Sequence, residues 1–351
     1  MKILSINPGS TSTKIAVYDE ENLQCLHTIR HTAEDLADFK SIYDQYEFRK
    51  NIILKKLADD DVVLREIAAI VGRGGLMRPL ESGVYEVNDK MLSDLRSGTE
   101  HASNLGAILA REIAEQIPGC QSFIADPVVV DELQEVARIS GLPQFPRRSV
   151  FHALNHKAIG RKYAQTVGTN YEKLNLVIAH LGGGISVAAH KLGKVIDTNQ
   201  ALDGFGSFSP ERAGTIDAGA LIRMCFEGKY SQAEIQKMMA GKGGLVAHLG
   251  TNDTKLAAEK AMNGDAHAKM ILEAMAYNVG KEIAALLAVF EGNVDAVILT
   301  GGIAHNQFVV NYIKRMIAPL AHLVVYPGED EMEALAFAGL RVLRGEKPKV
   351  Y

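Results

Sequence analysis

Val177 to Asp197 reads V-I-A-H-L-G-G-G-I-S-V-A-A-H-K-L-G-K-V-I-D, and the fold follows from how that stretch is parsed. Two apolar, β-branched runs, Leu176 to Ala179 and Ile185 to Ala189, flank three consecutive glycines. The pattern predicts a strand, a tight glycine turn and a returning strand, with a third short run at Val195 to Ile196 after a turn at Leu192 to Lys194. Glycines carry no Cβ, so backbone N–H groups can converge on an anion, and Ser186 offers a hydroxyl beside them. Taken alone, the stretch is either a phosphate cradle or an ordinary glycine-rich hairpin inside a core.

The N-terminus repeats the pattern. Lys2 to Tyr18 reads K-I-L-S-I-N-P-G-S-T-S-T-K-I-A-V-Y: an apolar strand, a small-residue turn from Asn7 to Ser12, and a returning strand that ends in Asp19. Gly9 and Gly183 are 174 residues apart, about half of the 351 in the chain. One supersecondary unit repeated at half the chain length predicts two similar domains facing each other, and two cradles facing one cleft can hold the two ends of a polyphosphate.

Composition narrows the class. The chain is 47% hydrophobic and 23% charged with a net charge of −4, so each domain can bury a core and no general attraction to nucleic acid or anionic lipid is expected. Three well-separated cysteines, Cys25, Cys120 and Cys225, form no C-x-x-C, which argues for a reducing cytoplasm and against a disulfide framework or a zinc site. No run reaches the roughly 18 apolar residues of a membrane span.

Further along, Glu47 to Ala58 has helical spacing through Phe48, Ile52, Ile53 and Leu57. Ile67 to Val71 reads as a buried strand running into Gly72-Arg73-Gly74-Gly75, and Ser103 to Ile117 as a helix closed by Pro118-Gly119. The run G-L-P-Q-F-P-R-R from Gly141 to Arg148 is too rich in proline and glycine to be regular and is taken as the main boundary. The expected domains are thus 1–148 with about 334–351 crossing back, and 149–333. A helix from Phe151 to Gln165 leads to the central hairpin, and a long one over Ala266 to Phe290 buries Ile271, Leu272, Met275, Val279, Ile283, Leu286 and Phe290. A strand from Val294 to Leu299 enters Thr300-Gly301-Gly302, where backbone can approach a flat or anionic ligand.

These glycine-bearing motifs, in this order, resemble the superfamily of acetate and sugar kinases, heat-shock chaperones and actin. More narrowly, the whole chain is similar to the acetokinase family, on its butyrate and branched-chain fatty-acid kinase branch. The likeness rests on S-I-N-P-G-S-T-S-T-K at Ser5 to Lys14, V-G-R-G-G at Val71 to Gly75 and S-V-F-H at Ser149 to His152. It continues through H-L-G-G-G-I-S at His180 to Ser186, P-E-R-A-G-T-I-D at Pro210 to Asp217 and L-T-G-G-I-A-H-N-Q-F at Leu299 to Phe308. The resemblance implies an α/β fold of two similar ribonuclease-H-like domains, each a mixed five-stranded sheet with helices on both faces, around a nucleotide cleft. It implies reversible transfer of a phosphoryl group from ATP to a short-chain fatty acid, with Mg²⁺, giving acyl phosphate and ADP, by a homodimer or larger homo-oligomer.

Carried over residue by residue, Arg73 holds the substrate carboxylate and Arg212 contacts the phosphoryl group. His152 and His180 lie beside that group, and Asp126 orients an arginine or a metal-bound water. Asn7, Ser10, Ser12 and Lys14 belong to the first cradle, Gly182, Gly183 and Gly184 to the second, and Gly301, Gly302 and Ile303 meet the nucleotide. Asn7 stands near the magnesium ion, with Glu331 the metal-linked carboxylate and Glu333 the competing alignment. His101 and His156 fall near family positions, and a helix N-cap before Pro127 is the competing reading of Asp126.

The residue types suit the chemistry. A carboxylate is already a nucleophile, so the site must bring two anions together and stabilise spread charge rather than supply a strong base. Two departures from the acetate kinases, Gly183 for asparagine and Ile70 for an arginine whose job Arg73 takes over, favour a roomier acyl pocket. Three rivals stand beside this reading. An acetate or propionate kinase differs only in its pocket. An actin-like or chaperone-like switch would need a partner surface. A sugar kinase would need an aspartate base, for which Asp126 or Asp217 could serve.

Overall fold

A computed structural model describes all 351 residues, Met1–Tyr351, and the chain forms two compact units. The first comprises Met1–Val130, Ala153–Asn155 and Asp330–Tyr351, and the second Asp131–His152 and His156–Glu329.

The first unit holds strands β1 (Lys2–Pro8), β2 (Ser12–Asp19), β3 (Asn22–Arg30), β4 (Ile67–Arg73), β5 (Val84–Glu86) and β6 (Gln121–Ala125), in sheet order β3-β2-β1-β4-β6-β5. The first three run antiparallel, β4 and β6 join parallel to β1, and β5 closes the edge antiparallel to β6. The second unit holds β7 (Asn175–Leu181), β8 (Ile185–Lys191), β9 (Lys194–Thr198), β10 (Ala296–Gly301) and β11 (Leu323–Pro327), in order β11-β10-β7-β8-β9. Started from β9, that is the order of the first sheet without β5, with the same directions. The repeat seen in the glycine hairpins therefore extends over five strands in each unit. The sixth strand of the first sheet is a difference from the expected five: three residues after Ser82-Gly83 are too few to show an alternating pattern.

The helices used below are α1 (Tyr46–Asp59), α2 (Leu105–Ala114), α3 (Ala153–Thr166), α4 (Ala266–Ala288), α5 (Gln307–Ile317) and α6 (Glu331–Leu343). Alternation sorts each strand's side chains to two faces. In the second unit Val177, Ala179, Leu181, Val187, Val297 and Leu299 pack on α4 through the stripe Ile271 to Phe290. Leu176, Ile178, Ala296 and Ile298 pack on the other face with Ile159, Tyr163 and Tyr171. In the first unit Leu4, Ile6, Ile15, Val17 and Ile70 meet Ile53 and Leu57 of α1 and Leu105, Ile108, Leu109 and Ile113 of α2. Each such aliphatic side chain contributes roughly 1.5–3 kcal/mol on full burial. The C-terminal helix α6 lies on the opposite face, where Ser5 Oγ donates to the Met332 carbonyl at 2.9 Å.

The run Gly141 to Arg148 lies inside the second unit, and the chain crosses between units at Val130–Asp131 and Glu329–Asp330, with a short return to the first over Ala153–Asn155. Hydrogen bonds explain the placement. Gln134 N donates to Ile196 O at 3.0 Å, and Arg147 Nη2 to Asp197 Oδ1 at 2.7 Å and Thr198 O at 3.0 Å. The segment is fastened to β9, so its prolines and glycines mark irregular backbone rather than a boundary.

Candidate functional site

In the first unit the β1–β2 turn closes with Gly9 N donating to Ser12 O at 2.7 Å. Beneath it lies Arg49 of α1, 0% exposed. Its guanidinium donates to Gly9 O (2.8 Å), Ser12 O (3.2 Å), Thr13 Oγ1 (3.0 Å) and Ser10 O (3.1 Å), with Gln45 Oε1 at 2.8 Å completing the shell. Burial lowers the pKa of Arg49 to about 10, so the group stays charged at neutral pH. A buried cation takes up the turn's carbonyl oxygens, which leaves its N–H groups as the polar atoms available to an anion. Sequence reading missed Arg49, because a charged residue on an amphipathic helix is assigned to the outer face. Its spacing with buried Ile53 and Leu57, four and eight residues on, was the available signal. Ser10 and Lys14 are exposed and Ser12 half-buried at this turn.

Arg73, the last residue of β4, is brought together with Asn7 and Glu331. Its Nη1 lies 3.4 Å from Asn7 Oδ1 and 3.3 Å from Glu331 Oε2, and Asn7 Nδ2 donates to Glu331 Oε2 at 2.5 Å. Asp330 caps α6 by accepting from Glu333 N at 3.2 Å, so Glu331 and Glu333 both stand in its first turn. The glycines around Arg73 serve close packing rather than openness. A Cβ on Gly72 would collide with the Gly106 carbonyl of α2, and one on Gly75 with Asn104. Asp126 is buried with φ +37°, a strained value for a residue with a side chain. Its Oδ1 accepts from Ser82 Oγ (2.6 Å) and Gly83 N (2.8 Å), and no helix begins after it, which removes the N-cap alternative. His101 caps the short turn Ala102–Asn104, its Nδ1 accepting from Ser103 N at 3.2 Å.

In the second unit the glycine turn is held differently. Gly182 N donates to Gly184 O (3.1 Å), while Gly183 O accepts from Glu211 N (3.2 Å) and Ser209 Oγ (2.6 Å). Ser186 is not a donor to the turn: fully buried, its Oγ sits 2.8 Å from both His152 Nδ1 and His156 Nε2. The chain continues from His156 Nδ1 to His190 Nε2 at 3.2 Å and from His190 Nδ1 to Tyr171 Oη at 2.5 Å. Burial, reinforced by neighbouring positive groups, holds the imidazoles of His156 and His190 well below their ordinary pKa. The His180 ring stacks on His152 with centroids 3.9 Å apart, and its Nε2 lies 3.3 Å from Glu329 Oε2.

Arg212 is fixed by its backbone: Ser209 N donates to Arg212 O at 3.1 Å, and Arg212 bridges Ala240. Its Nη1 reaches Glu211 O at 3.3 Å, whereas its Nε is buried without an acceptor. The guanidinium already stands beside one carboxylate, with Nη1 3.7 Å from Glu211 Oε2. At the end of β10, Gly301 has φ +89°, and a Cβ there would collide with the Leu181 backbone. Gly301 exchanges hydrogen bonds with Gly328 at 2.9 and 3.0 Å, while exposed Gly302 opens the turn that buried Ile303 anchors.

Outside these sets, Cys25, His27 and Asp60 gather ligand atoms within 4.8 Å of one another, with His27 Nε2 and Asp60 Oδ2 hydrogen-bonded to each other and Lys56 Nζ 3.3 Å from Asp60 Oδ1. No helix is long and apolar enough to cross a membrane.

The acetokinase family model matches residues 144–339. The chain is 52% identical over 348 residues to butyrate kinase 2 of Clostridium acetobutylicum, spanning 99% of this chain and 98% of that one. It is 51% identical over 349 residues to a probable butyrate kinase of Bacteroides thetaiotaomicron, spanning 99% of both. Among solved structures, the acetate kinase of Porphyromonas gingivalis superposes with a TM-score of 0.82 at 19% identity, covering 97% of this chain and 99% of that one. At that identity the last likeness speaks for the fold.

Proposed function

Because the chain belongs to the acetokinase family, we propose that it transfers the γ-phosphoryl group of ATP to the carboxylate of a short-chain fatty acid, butyrate foremost, reversibly giving acyl phosphate and ADP. The observation that carries the acyl preference is the likeness to butyrate kinases at 52% identity along 99% of the chain. A carboxylate oxygen attacks the γ-phosphorus, the bond to the β–γ bridging oxygen breaks, and ADP leaves with that electron pair.

The two units divide the work. In the first, Arg73 presents a planar fork that suits a carboxylate, a match lysine lacks. In the second, Arg212 supplies positive charge for the equatorial oxygens over which the negative charge spreads. His152 and His180 add donors to those oxygens, and Asp126 fixes the β5–β6 edge beside the end of β4. Gly182, Gly183 and Gly184 hold the phosphates, as do Asn7, Ser10, Ser12 and Lys14. Gly301, Gly302 and Ile303 take the adenosine. Asn7 and Glu331 would hold Mg²⁺: an amide and one carboxylate are hard oxygen donors of the number that ion accepts while keeping waters and phosphates. The ion neutralises phosphate charge when bound.

Butyrate carries two methylenes more than acetate, each about 0.8 kcal/mol when buried, so a pocket that buries both separates the two acids by about fifteenfold. A sugar kinase is the weaker reading, since Asp217 is exposed and occupied in capping the helix Ala218–Phe226 through Ala220 N at 2.8 Å. We expect the active form to be at least a homodimer, as the family resemblance implies. The test is incubation with ATP, Mg²⁺, hydroxylamine and a panel of C2 to C6 acids. Acyl hydroxamate should form, most rapidly with butyrate. ATP consumption with sugars alone would refute the proposal.

A further inference from the structure

The polar chain from Tyr171 to His152 has a direction, and the direction has a chemical consequence. Helix and strand periods build it. His152 and His156 are four apart at the start of α3, on one helical face, while Ser186 and His190 are four apart on β8, on one strand face. Tyr171 reaches the far end from the turn Tyr171–Lys173. His156, His190 and Ser186 are all 0% exposed and Tyr171 is 2% exposed, so the links run through dry interior.

A neutral imidazole has one N–H and one bare nitrogen. Ser186 Oγ also accepts from His152 N at 3.4 Å, which leaves it one acceptor site and one O–H for the two imidazoles, so with both ring nitrogens of His156 and His190 engaged only two proton arrangements fit the whole chain. In one, every link donates toward His152: Tyr171 O–H to His190 Nδ1, His190 Nε2–H to His156 Nδ1, His156 Nε2–H to Ser186 Oγ, and Ser186 O–H to His152 Nδ1. In the other, every link is reversed. The choice is made at the phenol, whose O–H is a stronger acid than an imidazole N–H and a poorer acceptor than an imidazole nitrogen. Lys157 Nζ and the Arg161 guanidinium, 5.8 and 5.7 Å from the Tyr171 ring centroid, further favour the phenol as donor and oppose a charge on His190.

We propose that Tyr171, His190, His156 and Ser186 are positioning residues that fix His152 as its Nε2–H tautomer, a neutral hydrogen-bond donor at the phosphate turn. Geometry places the result where it matters: the Cε1–Nε2 edge of His152 faces Gly184, 3.5 and 3.8 Å from the point where a Cβ on that glycine would stand. A neutral donor serves a phosphoryl oxygen without waiting for a proton from solvent. The reversed chain would present a lone pair to an anion. The inference rests on the kinase reading only for the identity of what His152 donates to.

The test uses the full-length protein with ¹⁵N-labelled histidine and long-range ¹H–¹⁵N correlation, the His152 signals being assigned by their loss in His152→Asn. The expected result is protonated Nε2 and bare Nδ1 on wild-type His152. In Tyr171→Phe the Nδ1–H form should appear and kcat should fall about tenfold, a fraction of what loss of a whole donor costs, while both KM values stay within about twofold. Protonated Nδ1 in the wild type would overturn the proposal, and this reading needs no variant to fold. So would a Tyr171→Phe enzyme whose His152 tautomer is unchanged, whatever its turnover, or one whose tautomer shifts at full kcat. Absent fatty-acid kinase activity in the wild type would instead count against the proposed reaction and leave the tautomer result standing.

Discussion

The two units share a strand order and differ in how they hold the turn at its centre. In the first, the β1–β2 turn sits on a buried cation, Arg49, that gathers four backbone and side-chain oxygens. In the second, the β7–β8 turn is held by neutral donors, Ser209 Oγ and the Glu211 amide. The ends of the fourth equivalent strands diverge as well: β4 ends in Arg73, whereas β10 ends in Gly301 with a left-handed backbone. One duplicated scaffold thus offers a fixed guanidinium at one strand end and bare backbone at the other. That asymmetry suits the proposed reaction between a carboxylate and a nucleotide, in which each reactant needs a different first contact.

The largest effect that would break this contrast is expected at Arg212. Arg212→Ala should cut kcat by about 10²–10³, the cost of one transition-state donor, with an unchanged unfolding curve. Hydroxamate assays and chemical denaturation read the two quantities together. Gly301→Ala should come next, weakening nucleotide binding more than about tenfold in calorimetry, since a non-glycine residue at φ +89° is strained and its Cβ has no room. Gly183→Asn, by contrast, should stay within about threefold of wild type, because a Cβ there meets only Glu211 Oε2 at an ordinary 3.5 Å.

Two stability measurements sharpen the difference in how the turns are held. Arg49→Met should destabilise the protein by about 2–4 kcal/mol in urea titration, by stranding the turn carbonyls that it satisfies. Lowering the pH should act most on the second unit, since burial also lowers His31 and His101 of the first but holds His156 and His190 well below the ordinary value. His156 and His190 are depressed in the folded state, so below about pH 6.5 the unfolded chain binds protons that the folded one refuses. Stability is full above that pH and falls as pH drops, approaching a tenfold loss in the folding equilibrium per pH unit for each histidine. His190→Phe should flatten this slope, and an unaltered slope would remove His190 from the explanation.

The sequence carried the fold well where local pattern and tertiary role agree. The three-glycine hairpin, its N-terminal counterpart and the α4 stripe were legible because strand alternation and helical spacing are properties of short windows. Strand β5 was not, since Val84-Tyr85-Glu86 gains its place from pairing with β6 rather than from its own pattern. The site was legible at its motifs and opaque between them. Asn7, Arg73 and Glu331 could be named but not seen to meet, because Glu331 is 258 residues from Arg73. His190 and Tyr171 carried no motif at all. A lone histidine on a strand becomes informative only when its partner's position is known.

The most direct measurement of the division of labour is steady-state kinetics of Arg73→Ala with butyrate and ATP varied in turn. The account predicts a rise in KM for butyrate of more than about tenfold, the cost of a lost charge-assisted contact, with KM for ATP within about twofold of wild type. An unchanged KM for butyrate, or a rise confined to ATP, would contradict it.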